Sequence, residues 1–312
     1  TGAVRAARAF TKRDKIAYCG SGGVWHDWYA SAISRNQGVP NFNSELIKIF
    51  DYNDSDGLEQ IYEDNPEEIA AIVFEPTVYE KPDEKFLKNI RKISQNNNSL
   101  LILDEIVTGF RFDLEGAQKY FDIKGDLVCF GKGMGNGLPI SAITGPTEFM
   151  KIFDKLWVST TNGSENLSLA GTNAVINEMK NEKTIQHCWN VGEKLFNGWN
   201  KICKKSQLNI SMMGYPIRMT LKCYDSMNKE SEILKAVLLQ EMVKRGIFIS
   251  PGPTFISYSH TIDDIEATLS ALEEVILILE NIKDEKFDKI LEGEIPQKIF
   301  TNFIQPTKKI KF

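Results

Sequence analysis

The sequence has no apolar run approaching the roughly 20 residues that a bilayer-spanning helix needs, and no charged start followed by the short apolar centre of a secretory signal. It holds only three histidines, His26, His187 and His260, with no clustered carboxylates beside them, which argues against a metal centre. Five cysteines (Cys19, Cys129, Cys188, Cys203 and Cys223) lie far apart, and none shows CxxC or Cys/His ligand spacing. An odd, scattered set of this kind reads as reduced thiols in a cytoplasmic protein. Positive charge is not in excess: the formal net charge is −5, which gives no general electrostatic reason to bind nucleic acid or an anionic membrane. The one basic cluster, Lys308, Lys309 and Lys311, reads as a solvated tail. There is no internal repeat, no low-complexity segment and no initiating Met; the first residues already carry the pattern of a helix interior.

What is present is an ordinary globular composition, 42% hydrophobic and 25% charged over 312 residues, enough for a large core and two unequal domains. Short apolar runs alternate with amphipathic stretches, the pattern of an α/β fold with a mostly parallel sheet. Strands are expected at Ile16–Cys19, Leu46–Phe50, Ala70–Phe74, Leu100–Leu103, Leu127–Phe130 and Ile140–Ile143. Several are apolar on both faces, as strands covered by helices on both sides must be. Helices are expected at Gly57–Glu63, Asp83–Gln95 and Gly116–Phe121. After about Asn166 come helices at Ser168–Met179 and Thr184–Lys204, a strand at Ile217–Leu221, a helix at Glu232–Arg245, a strand at Ile247–Ile249 and a last helix at Ile262–Ile282. The expected division is a large domain over 1–175, a smaller α+β domain over 176–283 and an extended tail over 284–312.

The chemistry concentrates between Leu100 and Gly145. The strand Leu100–Leu103 ends in Asp104-Glu105, and an acidic pair at the carboxyl end of a buried strand stands where α/β sheets place their ligand sites. The strand Leu127–Phe130 ends in Gly131-Lys132-Gly133. Flanking glycines permit tight turns and close approach of backbone to a ligand. A lysine at the mouth of a sheet is either a solvated surface residue or a Schiff-base nucleophile whose amine is freed by partial burial. A strand-end aspartate is either a turn former or a group that keeps a pyridine nitrogen protonated. The glycines fit neither GxxxxGK[ST] nor GxGxxG, so neither phosphate loop is present.

Taken together, LDEIVTGFR and FGKGMGNGLPISAITG, with Asp104 and Lys132 28 positions apart, resemble the class III aminotransferases. The glutamate-1-semialdehyde aminomutase-like branch, with its members in surface-sugar pathways, is the most similar. TGAVRAARAFTKRDKIAYC at the start, WHDWY at Trp25–Tyr29, IVFEP at Ile72–Pro76, TTNGSENLSLA at Thr160–Ala170 and RGIFISPGPTFISYSH follow in family order. The resemblance implies fold type I of the pyridoxal 5'-phosphate (PLP) enzymes, working as a homodimer on a small-molecule amino donor and a carbonyl acceptor. It implies that Lys132 forms the Schiff base with PLP and carries the proton. Asp104 partners the pyridine nitrogen, Val107 or Ile106 packs on the ring, and Glu75 lies near cofactor or substrate. Thr161 reaches the neighbouring subunit's cofactor phosphate, although residue by residue a turn or helix-cap role serves it equally. The surface-sugar members imply an acceptor in sugar or cell-surface polysaccharide biosynthesis.

Two stretches depart from the family pattern. The phosphate-binding loop of relatives precedes the segment that matches Thr1-Gly2-Ala3-Val4, which implies an N-terminally incomplete site and weakened cofactor binding by these residues alone. Gly20-Ser21-Gly22-Gly23 stands where relatives carry an aromatic ring that stacks on the cofactor, and neither Ser21 nor Gly22 can stack. Three readings remain open here: an aminotransferase, an aminomutase built on the same residues, or a non-catalytic scaffold relative.

Overall fold

The computed structural model describes residues 1–19, 27–30, 36–77, 80–282 and 287–296. The chain divides into two compact units, one beginning at Thr1–Glu182 and the other spanning Lys183–Lys298.

The first unit is built on a six-stranded sheet in the order β2-β1-β3-β4-β5-β6. Strands β1 (Lys15–Cys19), β2 (Ile47–Ile49), β3 (Ile69–Phe74), β4 (Leu100–Glu105) and β5 (Leu127–Phe130) run parallel. Strand β6 (Ala142–Thr144) closes the edge antiparallel to β5. The expected strand at Ile140–Ile143 therefore starts later, because Pro139 has no N–H to donate and Ile140 still belongs to the turn, its N–H donated to Leu138 O at 2.9 Å.

Successive side chains on a strand point to opposite faces, and each face of this sheet has its own helical cover. Helix α1 (Gly2–Thr11) lays Ala3, Val4, Ala6 and Ala7 against Ile16, Tyr18, Val73, Ile102 and Leu127. Its small residues let the helix backbone come close to the strands. On the other face α4 (Ser55–Asp64) and α5 (Glu84–Asn96) bring Leu58, Phe86, Ile90 and Ile93 onto Ala17, Ile72, Phe74, Leu101 and Leu103. Each fully buried Leu, Ile or Phe contributes roughly 1.5–3 kcal/mol, so the two apolar layers fix the sheet and where its strands end. Helix α4 is started by the Asp54 side chain, which accepts from Gly57 N. Short helices α2 (Asp27–Ala30), α3 (Asn43–Leu46), α6 (Ala117–Tyr120) and α7 (Thr147–Met150) lie in the connections, and α8 (Asn166–Asn181) ends the unit.

The second unit packs α9 (Thr184–Cys203), α10 (Glu232–Lys244) and α11 (Ile262–Glu280) with the antiparallel sheet β7 (Asn209–Tyr215), β8 (Arg218–Tyr224) and β9 (Pro253–Phe255). Trp199, Leu221, Val237 and Leu272 are fully buried in its core. Three expectations are corrected here. Strand β7 went unread because Met212-Met213 blurs the alternation of buried and exposed positions. No strand forms at Ile247–Ile249: Gly246 has φ 77° and Ile247 donates to Met242 O, so these residues terminate α10. The segment after Lys283 is not wholly an extended tail, since α12 (Phe287–Ile290) buries Phe287 in the core, and Glu292 N donates to Gln240 Oε1 at 2.8 Å.

Candidate active site

Five parallel strands place their carboxyl ends along one edge of the first unit. The register pairs Phe74 with Leu103, Asp104 with Cys129, and Glu105 with Phe130. Glu75, one residue beyond β3, therefore falls in the same row as Asp104 and Cys129. Lys132 follows two residues beyond β5. Sheet topology thus brings Glu75, Asp104 and Lys132 to neighbouring strand ends, from positions up to 57 residues apart in the chain (132 − 75).

The strand pleat separates the acidic pair. Asp104 shares its face with Leu100 and Ile102, the face covered by α1. It is half-buried, and its Oδ1 accepts from Ile106 N at 3.0 Å. Burial, and secondarily the Asp104 charge, pushes the Cys129 thiol up to about 12, so it stands beside Asp104 as a neutral S–H. Glu105 points to the opposite face and is fully buried. Its Oε2 accepts from Thr108 Oγ1 at 2.5 Å and Ala117 N at 2.9 Å, and its Oε1 from Gln118 N at 2.6 Å. Burial still holds this carboxyl above the usual carboxylate range.

Lys132 is exposed and lies in the left-handed region with φ 43°. Non-glycine residues adopt that region uncommonly, and held strain of this kind gathers at functional sites. The conformation is locked by a tight turn in which Lys132 O accepts from Gly135 N at 3.1 Å and Asn136 N at 3.0 Å. Gly135 is required there, since a Cβ would fall 2.7 Å from Leu138 O and 2.5 Å from Ile140 Cγ2. Ile106 reaches across from the end of β4: a Cβ on Gly131 would meet Ile106 Cδ1 at 3.1 Å. Ile106 thus lies beside the lysine turn, while Val107 is half-buried and its carbonyl accepts from Arg111 Nε at 3.2 Å.

The Glu75 loop has a clamp that sequence reasoning missed. Tyr52, packed on Phe74 and Phe86 with ring centroids 5.6 and 5.5 Å away, donates its hydroxyl to Pro76 O. Asn53 donates to Lys81 O at 3.2 Å and accepts from Asp83 N at 2.9 Å. The one local signal was the run Tyr52-Asn53-Asp54 after β2, whose Asn and Asp favour turns. Thr161 stands apart from these groups, exposed in the turn before α8. The cap of α8 is not Thr161 but Glu165, whose carboxylate accepts from Leu167 N and Ser168 N, both at 2.7 Å. His26, Ser21 and Gly22 lie outside the described residues. His260 and His187 belong to the second unit, where His260 Nδ1 accepts from Ser257 N at 3.1 Å and His187 Nε2 meets His260 O at 2.9 Å. Among the described residues no group of three or more His, Cys, Asp or Glu is placed to hold a metal ion, and no helix is long and apolar enough to cross a membrane.

Residues 12–276 match the family model of the class-III aminotransferases. Glutamate-1-semialdehyde 2,1-aminomutase of Alkaliphilus oremlandii is 31% identical over 300 residues, covering 87% of this chain and 70% of that protein. A 3-aminobutyryl-CoA aminotransferase of Cloacimonas acidaminovorans is 30% identical over 280 residues, covering 87% and 67%. Among solved structures, an omega-transaminase from Sphaerobacter thermophilus superposes with a TM-score of 0.81 at 20% identity over 88% of this chain and 71% of that one. A transaminase with PLP bound gives the same TM-score at 19% identity, over 90% and 72%. The parallel sheet with helices on both faces is accordingly fold type I of the PLP enzymes, and the chain belongs to the class III aminotransferases, whose cofactor is pyridoxal phosphate.

Proposed function

We propose that this enzyme moves an amino group from a small amino donor to a small carbonyl acceptor, with PLP seated where β3, β4 and β5 end. One observation carries the reading: Lys132 is held left-handed in a glycine-locked turn, at the strand end next to Asp104. The donor set fits the group. A primary amine is available for the carbonyl of PLP, and a half-buried carboxylate for its pyridine nitrogen. Ile106 and Val107 supply apolar surface for its ring. The first N–H groups of α1, on the face of the sheet that carries Asp104, favour the phosphate.

When bound, PLP supplies an electron sink for the bonds at the carbon that carries the amino group. The protein's share is proton management and orientation. Asp104 would hold the pyridine nitrogen protonated, and Lys132 Nζ would be the group that carries the proton. Glu75, in the same row as Asp104 and clamped through Pro76 by Tyr52, faces cofactor or substrate. An aminomutase needs the same residues, and relatives named aminomutase and aminotransferase are similar at 31% and 30% identity. Thr1–Glu182 is the cofactor-binding unit in this reading, and Lys183–Lys298 the smaller one.

The active form we propose is a homodimer. Helix α8 buries polar Ser168 and Thr172 but turns Leu167 and Leu169 outward, the reverse of a solvated helix. Trp157, 84% exposed, and Val158 are further apolar side chains left uncovered in this unit. A second copy docked there brings Thr161 to the neighbouring site. Free thiols at all five cysteines support a reducing, cytoplasmic setting.

Borohydride reduction of the purified protein, followed by peptide mapping, tests the assignment. Lys132 should carry the reduced adduct, and Lys132→Ala should lose both the adduct and the visible absorption band. A reducible adduct on another lysine, or a wild type with no band, sinks this reading, and the second outcome favours a scaffold. A panel of aldehydes, keto acids and keto sugars then identifies the acceptor.

A further inference from the structure

We infer that Glu105, although it faces away from the cofactor, is the positioning residue for Asp104 and for the loop that seats Ile106 beside Lys132. The inference rests on the reading above for what is being positioned, and on independent geometry for how. The loop that leaves β4 at Glu105 returns to it at Ala117. A single carboxylate ties both parts: Thr108 Oγ1 at 2.5 Å near its start, Ala117 N at 2.9 Å and Gln118 N at 2.6 Å at its end. Glu105 O also accepts from Gly109 N at 2.8 Å, which closes the turn above the strand.

The surroundings are shaped for that carboxylate. Gly116 has φ 89°, and a Cβ there would stand 2.6 Å from Glu105 Oε1, so only glycine leaves room for the oxygens to meet the two N–H groups. A Cβ on Gly109 would stand 2.5 Å from Phe130 Cδ1, so this turn packs directly on the end of β5. Its other contacts reach the site. Ile106 N donates to Asp104 Oδ1 at 3.0 Å, and the Ile106 side chain lies against Gly131, the residue before Lys132. Displacing the turn therefore moves Asp104 and the lysine loop together.

A neutral side chain would fill the space at lower electrostatic cost. Burying a carboxylate disfavours its charge, and Asp104 next to it adds a like charge. The three donors offset that cost only for a group with two acceptor oxygens in this geometry. Glutamine has one acceptor oxygen and turns an NH2 toward a backbone N–H. The carboxyl group thus stands where its two oxygens join the start of the loop to its end, which is the arrangement a positioning residue requires.

The test uses Thr108→Val and Glu105→Gln in the full chain. Misplacement of reacting groups by about 1 Å costs on the order of a hundredfold in rate. Both variants should lower kcat by roughly ten- to a hundredfold with the donor KM within about twofold of wild type. Both should shift the pH midpoint of the visible absorption band by about half a unit or more, because the Asp104 carboxylate has moved relative to the pyridine nitrogen. Amide hydrogen exchange at Ile106 and Gly109, read without PLP, should quicken by about tenfold or more. Should Glu105→Gln fail to fold, Thr108→Val keeps the carboxylate and both backbone donors and carries the test. A lower Tm with unchanged kcat, band midpoint and exchange would show that Glu105 only stabilises the fold. A wild type without a Lys132 adduct overturns the functional reading instead, and exchange at Ile106 then decides alone whether Glu105 holds the loop.

Discussion

Asp126 immediately precedes β5, and the position of Lys132 depends on how that strand is registered against β4. Its carboxylate accepts from Arg91 Nη1 at 2.7 Å, from Arg91 Nη2 at 2.8 Å and from Leu101 N at 2.8 Å. Its own N–H donates to Leu101 O at 2.8 Å. The side chains of Arg91 and Asp126 are 29% and 9% exposed, so this is a bidentate pair with its acid inside the protein. Asp126→Ala removes the acid, strands the Leu101 N–H and takes both carboxylate bonds from the Arg91 guanidinium. Breaking a buried pair costs about 3–5 kcal/mol, and the solvent contact of Arg91 places this one toward the lower end. A buried N–H without a partner costs about 1–3 kcal/mol. The two effects share one oxygen and do not add fully, so a loss of about 3–5 kcal/mol follows. For a unit of this size each kcal/mol moves Tm by about 2–4 °C, a fall of roughly 6–20 °C. Urea unfolding with an unchanged m-value measures it directly. Asp126→Ala combined with Arg91→Met should cost clearly less than the two singles summed, since neither leaves the other unpaired. A single-variant loss below about 1 kcal/mol would refute the reasoning, for the pair would then be a solvated contact of the ordinary surface kind.

Two further outcomes are expected. Asp104→Asn keeps the shape but removes the charge that holds the pyridine nitrogen protonated, so kcat should drop by about a hundredfold or more while PLP affinity changes far less; near-normal half-reaction rates would give the carboxylate another role. Leu167→Asp, placed on the outward face of α8, should convert a dimer to a monomer by sedimentation and lower PLP affinity as Thr161 is withdrawn; an unchanged dimer would locate the interface elsewhere.

The parallel core was legible because several of its strands are apolar on both faces, as a sheet covered by helices on both sides asks. Ala70–Phe74 and Leu100–Leu103 were read almost to the residue on this ground. The antiparallel sheet of the second unit was harder, since one-sided burial writes a weaker pattern. Residues 209–215 alternate between buried and exposed positions, but two methionines, an asparagine and a glycine carry little strand preference of their own. The opposite error came at Ile247–Ile249, where three β-favouring residues follow a left-handed glycine and serve the end of a helix. Local preference yielded there to the need to satisfy the last carbonyls of α10. Phe287 was hidden among charged neighbours, and its burial depends on a core contributed by residues far away in sequence.

At the site, legibility followed the distance over which each interaction acts. Lys132 between two glycines, and Asp104 at a strand end, announce themselves within a few residues. Their convergence follows from parallel strand order, which the hydrophobic pattern already implies. The groups that hold them in place leave no such trace. Arg91 and Asp126 are 35 positions apart, Tyr52 and Pro76 are 24 apart, and Glu105 and Gln118 are 13 apart. Each is an ordinary residue in its own neighbourhood and becomes informative only when folding supplies its partner. The pair Asp104-Glu105 shows the limit most plainly. Read along the chain it is one acidic motif, yet the pleat sends the two carboxylates to opposite faces of the sheet. Asp104, half-buried, lies on the face covered by α1. Glu105 is closed in, and spends both its oxygens on the loop that shapes the site. In the reading proposed above, a motif two residues long divides between chemistry and the positioning of that chemistry, and the division is set by the two-residue period of the strand itself.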